Sequence, residues 1–414
     1  MSFMSIPALF SNLSPPEWGD KMTDTIERIE IFVLIIPRDV PYLGPLATGT
    51  RITEKGLFIR AGNRSVYSIH DQSVVVRVTT RDGVTGWGEG WAIVAPEIAA
   101  TVLRDLIAPF VIGRDPQDVI AIYEDVYDAM RVRGFFGGFY LDAIAALDIA
   151  IWDCKAKALN QPISKVLGAQ RHTRIPAYVS GLPRATLPER AELAQEWVKR
   201  GYNTFKFAAA VAEQGELREI ETLRAAVSDE VKIICDFHWR YSAGEAIALI
   251  NAMATHGLYI AEAPCHPEDI DGQARVAQAV KTPVALGEEW HTPYEFLPRF
   301  ERRCMTYIQP EIAHTGLTNF WQICQLANTF HVQVIPHASI GIGLFQAASL
   351  QVSAALNNLA GHEYQHSIFD RSLGLITGNM RCEAGFYTVP DGIGLGVEPN
   401  EEGLRYLQPF AVCT

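Results

Sequence analysis

The segments TFKFA (204–208), VKIICDFH (231–238), LYIAEAP (258–264) and PVALGEE (283–289) each carry a short apolar run into a polar residue: Lys206, Asp236, Glu262 and Glu288. Reading outward, TYIQPE (306–311), VQVIPH (332–337) and the segment around Glu363 continue the pattern with Glu311, His337 and Glu363. Successive members lie roughly 23 to 30 residues apart, the length of one strand-plus-helix unit. With IPAYVSG (175–181) as a first strand, the rhythm predicts an α/β fold, a (β/α)-type barrel whose strands each deliver a polar side chain to one rim. Active sites of such barrels are built at the C-terminal ends of the strands.

Asp236, Glu262 and Glu288 end consecutive strands, and neighbouring strands lie ~4.8 Å apart, so the three carboxylates can converge on one hard cation. Without a cation they repel, and one of them must take a proton. An all-oxygen ligand set favours Mg²⁺, with Mn²⁺ able to substitute, over Zn²⁺. Glu311 and His337 end adjacent strands. A carboxylate beside an imidazole fixes its tautomer and raises its basicity, which suits a general base. His238 lies two residues beyond Asp236, so strand alternation turns it to the same face, a second proton-transfer group on the side away from His337. Lys206 is placed to stabilise developing negative charge. Each residue alone reads more plainly as a strand-end surface group; the matched offsets argue for a site.

One motif points elsewhere. HEYQH (362–366) matches H-E-x-x-H, the pattern of a zinc-protease helix. Gly361 directly precedes it, and it falls where an eighth strand should close the barrel, so a zinc metallopeptidase is a remote alternative. The glycines after His337 lack G-x-G-x-x-G spacing, and no dinucleotide site is expected.

With 48% hydrophobic and 20% charged residues in 414, the composition is that of a globular protein with a sizeable core. A net charge of −12 argues against nucleic acid or anionic membranes as partners. The seven cysteines are scattered without a C-x-x-C pair and read as free thiols of a reducing compartment. No apolar run approaches the ~20 residues of a membrane span, and the N-terminal MSFMSIPALFSNLSPPEW lacks a basic start and a cleavage site. A cytoplasmic protein with a flexible extension over 1–24 is expected.

Residues 25–134 read as an α+β unit. IERIEIFVLII and SVVVRVTTRDGVTGWGEGW are strand-like, with Asp82-Gly83 as a hairpin turn. Residues 37–64 between them, rich in Gly, Pro and Arg, read as a long functional loop. Helical spacing runs through 97–133, and YLDAIAALDIAIWDCKAKAL (140–159) is apolar on most faces, as a buried helix is. The barrel is expected over 135–375, and 376–414 as a return to the first unit.

The chain resembles the mandelate racemase/muconate lactonizing enzyme branch of the enolase superfamily over nearly all of its length beyond the extension. The carriers are RDGVTGWGEG, ALDIAIWDCKAKALNQPISKVLGA, CDFH, AEAP, ALGEE, QPEIAH, IPHASIGIG and PDGIGLGVE, in that order. The resemblance implies a modified (β/α)7β TIM-type barrel with an α+β capping domain formed by the N-terminal region and the C-terminal tail. It implies Asp236, Glu262 and Glu288 as ligands of one Mg²⁺, and His337 with Glu311 as a dyad in which Glu replaces the usual Asp. It implies Glu363 as the eighth-strand acid that hydrogen-bonds the substrate carboxylate or enolate, protonated and therefore raised in pKa. Where racemase-type members read K-x-K, this chain reads Lys206-Phe207-Ala208, so the second-strand base is missing. Asp236-Phe237-His238 is similar to the D-x-H of galactonate and mannonate dehydratases. The implied reaction is Mg-dependent dehydration of a sugar acid, aldonate or aldarate, to a 2-keto-3-deoxy acid. His337 would be the base and His238 the acid, with Lys206 near the intermediate's oxygens. The alternative is a cycloisomerase or epimerase of a sugar-acid lactone or anhydro sugar acid. Arg51, Arg60, Arg64, Arg131, Arg133, Trp239, Arg240 and His291 are the candidates for choosing among substrates, and a homo-oligomer is the family's habit.

Overall fold

Ile26–Pro37, rich in Ile and Val, is an inner strand of a four-stranded antiparallel sheet in the computed structural model, which describes residues 24–338 and 340–414. The expected extension, apart from Asp24, lies outside the described residues. On one side Ile26–Pro37 pairs with His70–Thr80, and on the other with Leu407–Cys413, so the C-terminal tail does return to this sheet. His70–Thr80 turns through Gly83, at φ 85°, into Thr85–Gly90. Residues 37–64 are not wholly irregular: Leu57–Ile59 pairs with Val66–Ser68 in a two-stranded ribbon. Three residues are too few to show an alternation, and the Gly-, Pro- and Arg-rich flanks masked them.

The helix Phe139–Ala158 lies on the capping sheet. It approaches so closely because Thr85–Gly90 presents Gly86, Gly88 and Gly90 to it; a Cβ on Gly88 would sit 2.0 Å from the Ala146 carbonyl oxygen. The helix is buried nearly all round. Its carboxylates join the layers: Asp153 accepts from the backbone N–H groups of Trp87 and Leu395, and Asp148 from the N–H and hydroxyl of Thr318 on the barrel helix Ile312–Thr329.

Eight parallel strands then form the barrel: Arg174–Ser180, Thr204–Ala208, Lys232–Asp236, Leu258–Glu262, Val284–Leu286, Tyr307–Ile308, Gln333–Val334 and His362–Tyr364. The eighth pairs with the first, and hydrogen bonds from Ala360 to Val334 and Glu363 to Pro336 close the ring. Helices Leu187–Lys199 and Ala243–Ala254 open on capping boxes, Thr186 with Glu189 and Ser242 with Glu245. Gly201 and Gly257, both at positive φ, follow their C-termini.

Inside the barrel Tyr178, Ile234, Ile260, Ala285 and Ile335 pack together. Two residues further along their strands stand Ser180, Asp236, Glu262 and, for the seventh, His337. Period-two alternation keeps these on the inner face, and the apolar layer beneath leaves them only the C-terminal mouth. Among the described residues no helix is long and apolar enough to cross a membrane, and all seven cysteines are free.

Candidate active site

Asp236 and Glu262 end the third and fourth barrel strands, and Glu288 lies two residues past the fifth. One carboxylate oxygen from each lies within 4.8 Å of the others. An octahedral cation with ~2.1 Å bonds holds opposite ligands about 4.2 Å apart, so the three acids fit a hard dication after a small inward movement. Their surroundings also call for positive charge. Burial, then the charges of Asp236, Glu363 and Glu288, push Glu262 up to about 8 against the pull of Lys206. Lys206 Nζ lies 2.5 Å from Glu262 and 2.9 Å from Glu363, and Gln309 donates to the other Glu262 oxygen at 2.7 Å.

Across the ring His337 turns Nδ1 to Glu311 at 3.0 Å, leaving Nε2 on the side of Glu288 (3.4 Å) and Glu363 (3.7 Å). Glu311 is fully buried and held by its second oxygen, which accepts from Ala313 N–H at the start of helix Ile312–Thr329. The longer arm of Glu in place of Asp therefore still reaches the imidazole. Burial alone would depress His337, but the Glu363 charge, the Glu311 hydrogen bond and the Glu288 charge raise it to about 10. A raised imidazole stabilises the fold fully below its ordinary ~6.5, and that stabilisation is lost as pH rises through about 10. Chelator-treated protein is expected to lose thermal stability between pH 7 and 10, with the slope flattened in His337→Asn. An unchanged slope in melting scans would refute this.

Two expectations need correction. His238 reaches the mouth, but not by strand alternation: the strand stops at Asp236, and His238 and Trp239 follow at φ 50° and 57°, a left-handed turn that two non-glycine residues rarely adopt. Asp236 pins the turn by accepting from His238 N–H at 2.9 Å and facing its Nε2 at 3.2 Å. Glu363 is not raised: burial pushes it up, but Lys206, His337 and the Ser180 hydroxyl outweigh burial and hold it near 2. It is a carboxylate paired with Lys206, whose own ammonium is held well above its usual range by Glu262 and Glu363 despite burial. Groups from 26 to more than 180 residues away in sequence set both values, which no local pattern reports.

The mouth opens into a cavity of about 250 Å³ lined by Lys206, Asp236, His238, Glu288 and His337 together with Tyr42, Tyr67, Trp91 and Trp239 from above. Of the eight specificity candidates only Trp239 lines it. Arg51, Arg60 and Arg240 border a larger cavity of about 1030 Å³ lined by none of Asp236, Glu262, Glu288, Glu311 and Glu363, and Arg240 is spent on Glu216. Arg64, Arg131 and Arg133 are exposed, Arg131 on Asp128. His291 is buried beside the site, where Asp142 lies 3.4 Å from it and His314 turns Nδ1 to Asp142 at 2.6 Å. These three could be taken for a second metal site. A 2.6 Å contact is a charge-assisted hydrogen bond, whereas two ligands on one tetrahedral ~2.0 Å centre stand about 3.3 Å apart. The sequence reading missed Glu289, Trp91 and His314, which all line the cavity. His314 follows Glu311 by one helical turn, a spacing that could have flagged it.

The H-E-x-x-H match dissolves in the fold. His362 lies on the eighth strand, bonded to Ser349, and His366 begins the next helix, bonded to the Gly181 carbonyl. Burial lowers both to about 4, and they share no ligand site.

Residues 47–168 match the family model described as mandelate racemase/muconate lactonizing enzyme, N-terminal domain, and residues 189–403 that described as enolase C-terminal domain-like. The chain is 29% identical to the D-galactarolactone cycloisomerase of Agrobacterium fabrum, covering 80% of this chain and 90% of that one. It is 30% identical to the D-gluconate dehydratase of Thermoproteus tenax, covering 80% and 69%. Among solved structures it superposes at TM-score 0.92 and 50% identity on a Sinorhizobium meliloti protein provisionally described as an isomerase, covering 94% and 100%.

Proposed function

The chain belongs to the mandelate racemase/muconate lactonizing enzyme branch of the enolase superfamily, and from that membership we propose that it dehydrates a sugar acid to a 2-keto-3-deoxy acid. The observation that carries this reading is the pair of unlike histidines just past the third and seventh strands of an eight-stranded ring. His337 is held by Nδ1 and offers Nε2; His238 is engaged through Nε2 and leaves Nδ1 without a hydrogen-bond partner among the described residues. The second strand ends in Ala208 where a second α-carbon base would stand.

Asp236, Glu262 and Glu288 would hold Mg²⁺. When bound, the ion supplies an electrophile for the substrate carboxylate and offsets the negative charge that keeps His337 protonated. His337 Nε2 takes the proton α to the carboxylate while Glu311 keeps the imidazole oriented. Lys206 donates to the developing enediolate oxygens, with Glu363 as its ionised partner rather than as a donor itself. His238 Nδ1 delivers a proton to the departing 3-hydroxyl, water leaves, and the enol tautomerises.

The test is Mg²⁺ with a panel of sugar acids, trapping 2-keto acids with semicarbazide and weighing the product. Loss of one water supports dehydration; an unchanged mass favours the cycloisomerase reading, which the Agrobacterium fabrum relative supports. His238→Asn is expected to keep exchange of the α-proton in D2O while water loss falls at least ~100-fold. Equal loss of both would remove His238 from the acid role.

A further inference from the structure

Three of the arginines that read as substrate-choosing residues gather away from the acids. The cavity of about 1030 Å³ lies between the long capping loop and the segments that follow the first three barrel strands, and its charged walls are Arg51, Arg60, Arg184, Arg190, Arg240 and Glu213. Five guanidinium groups against one carboxylate is a local reversal in a chain of net charge −12. Two of the five are neutralised: Arg190 is buried in a two-pronged pair with Glu219, and Arg240 meets Glu216. Arg51, Arg60 and Arg184 have no carboxylate partner among the described residues. The Arg184 charge reaches Glu189, but that carboxylate is taken up by the Thr186 capping box. Arg60 is fixed in place, donating to the Tyr42 and Gly44 carbonyls and lying 5.7 Å from the centre of the Phe58 ring, where burial pulls its pKa down. The two walls are also locked together. Gly62 of the loop packs so closely on the barrel turn Ala209–Val211 that a Cβ would sit 2.0 Å from the Ala210 carbonyl oxygen.

We infer that this cavity is a second binding site, one that takes a small anion bearing a phosphate or carboxylate group. A guanidinium presents a planar fork that matches either group through two parallel hydrogen bonds, and a cleft walled by one sign of charge gathers ions of the other. Arg51 brings such a fork from the loop side and Arg184 from the barrel side, both exposed, with half-buried Arg60 as a fixed cation beside them. The active-site cavity shares only Leu43 and Val66 with this one, and its own walls carry Asp236 and Glu288. An anion meeting the metal-free protein is therefore repelled at the barrel mouth and attracted here. The inference does not depend on the dehydratase reading.

Calorimetry at constant ionic strength tests it on the full-length protein, with Mg²⁺ and after chelation. The probes are inorganic phosphate and gluconate. At least one is expected to bind the chelated protein with a Kd of about 1 mM or tighter. Tighter phosphate assigns the site to phosphate esters, and tighter gluconate assigns it to sugar acids. Arg51→Glu combined with Arg184→Glu should weaken that binding ~10-fold or more, with the melting temperature unchanged because both side chains are exposed. Arg51→Gln with Arg184→Gln, which removes the charges without reversing them, should fall between. Arg131→Glu with Arg133→Glu makes the same change in net charge on exposed residues outside the cavity, and should weaken binding less than about twofold. Binding that needs Mg²⁺ would place the anion on the metal and overturn the site. Absence of binding by both probes, equal loss in the control pair, or binding indifferent to Arg51 and Arg184 would overturn it as well.

Discussion

Turnover is expected to fall about 10⁴-fold in a His337→Asn variant, the upper range for losing a positioned general base. The reasoning is geometric. His337 Nε2 is the imidazole nitrogen left facing Glu288 and Glu363 once Nδ1 is fixed by Glu311. Asn fills much of the same space and keeps a group that can hydrogen-bond Glu311, so the barrel should survive. Exchange of the substrate α-proton in D2O should vanish together with product formation, because both begin with that proton. Glu311→Gln should fall between, about 10- to 100-fold, since it leaves the base present but poorly oriented. If His337→Asn keeps α-proton exchange, another residue is the base.

Gly88→Val is expected to prevent folding. A Cβ at Gly88 would lie 2.0 Å from the Ala146 carbonyl oxygen and 2.6 Å from the Ala150 N, both backbone atoms of a fully packed helix. Neither can swing aside as a side-chain tip can, so the capping strand and helix Phe139–Ala158 would have to part. Their interface includes the Asp153 bonds to Trp87 and Leu395. A cost above ~4 kcal/mol follows from such backbone overlap, comparable to the whole margin of many domains. Gly83→Ala is the control: that glycine has positive φ but open space around its missing Cβ, so only the ~1 kcal/mol of left-handed strain applies. Comparable melting temperatures for the two variants would mean that the close approach of strand and helix is not a constraint on the fold.

The barrel was legible because its strands repeat one arrangement, an apolar inner layer with a polar residue two positions further on. Ile234 with Asp236, Ile260 with Glu262 and Ile335 with His337 all show it. The glycines of TGWGEG were legible as a strand, but that they serve helix contact needed the helix in place. The long loop was read as irregular because Leu57–Ile59 is too short to carry a pattern. The arginine candidates failed for a related reason. A charged residue in a loop has no periodicity, so its direction depends on how the loop folds, and here Arg51 and Arg60 border another cavity.

What the sequence by itself determined is the order of the strands and which residues stand at their ends, since alternation and the spacing of strand-plus-helix units are local properties of a chain. The tertiary structure alone decided the chemical state of those residues. Glu363 is an anion because Lys206, far away in sequence, lies 2.9 Å from it. The histidines differ in which nitrogen is free because one faces Glu311 and the other faces Asp236. The Trp239 indole N–H has no hydrogen-bond partner among the described residues. Charge, tautomer and unmet hydrogen bonds depend on distances across the barrel mouth, and those distances exist only once the ring has closed.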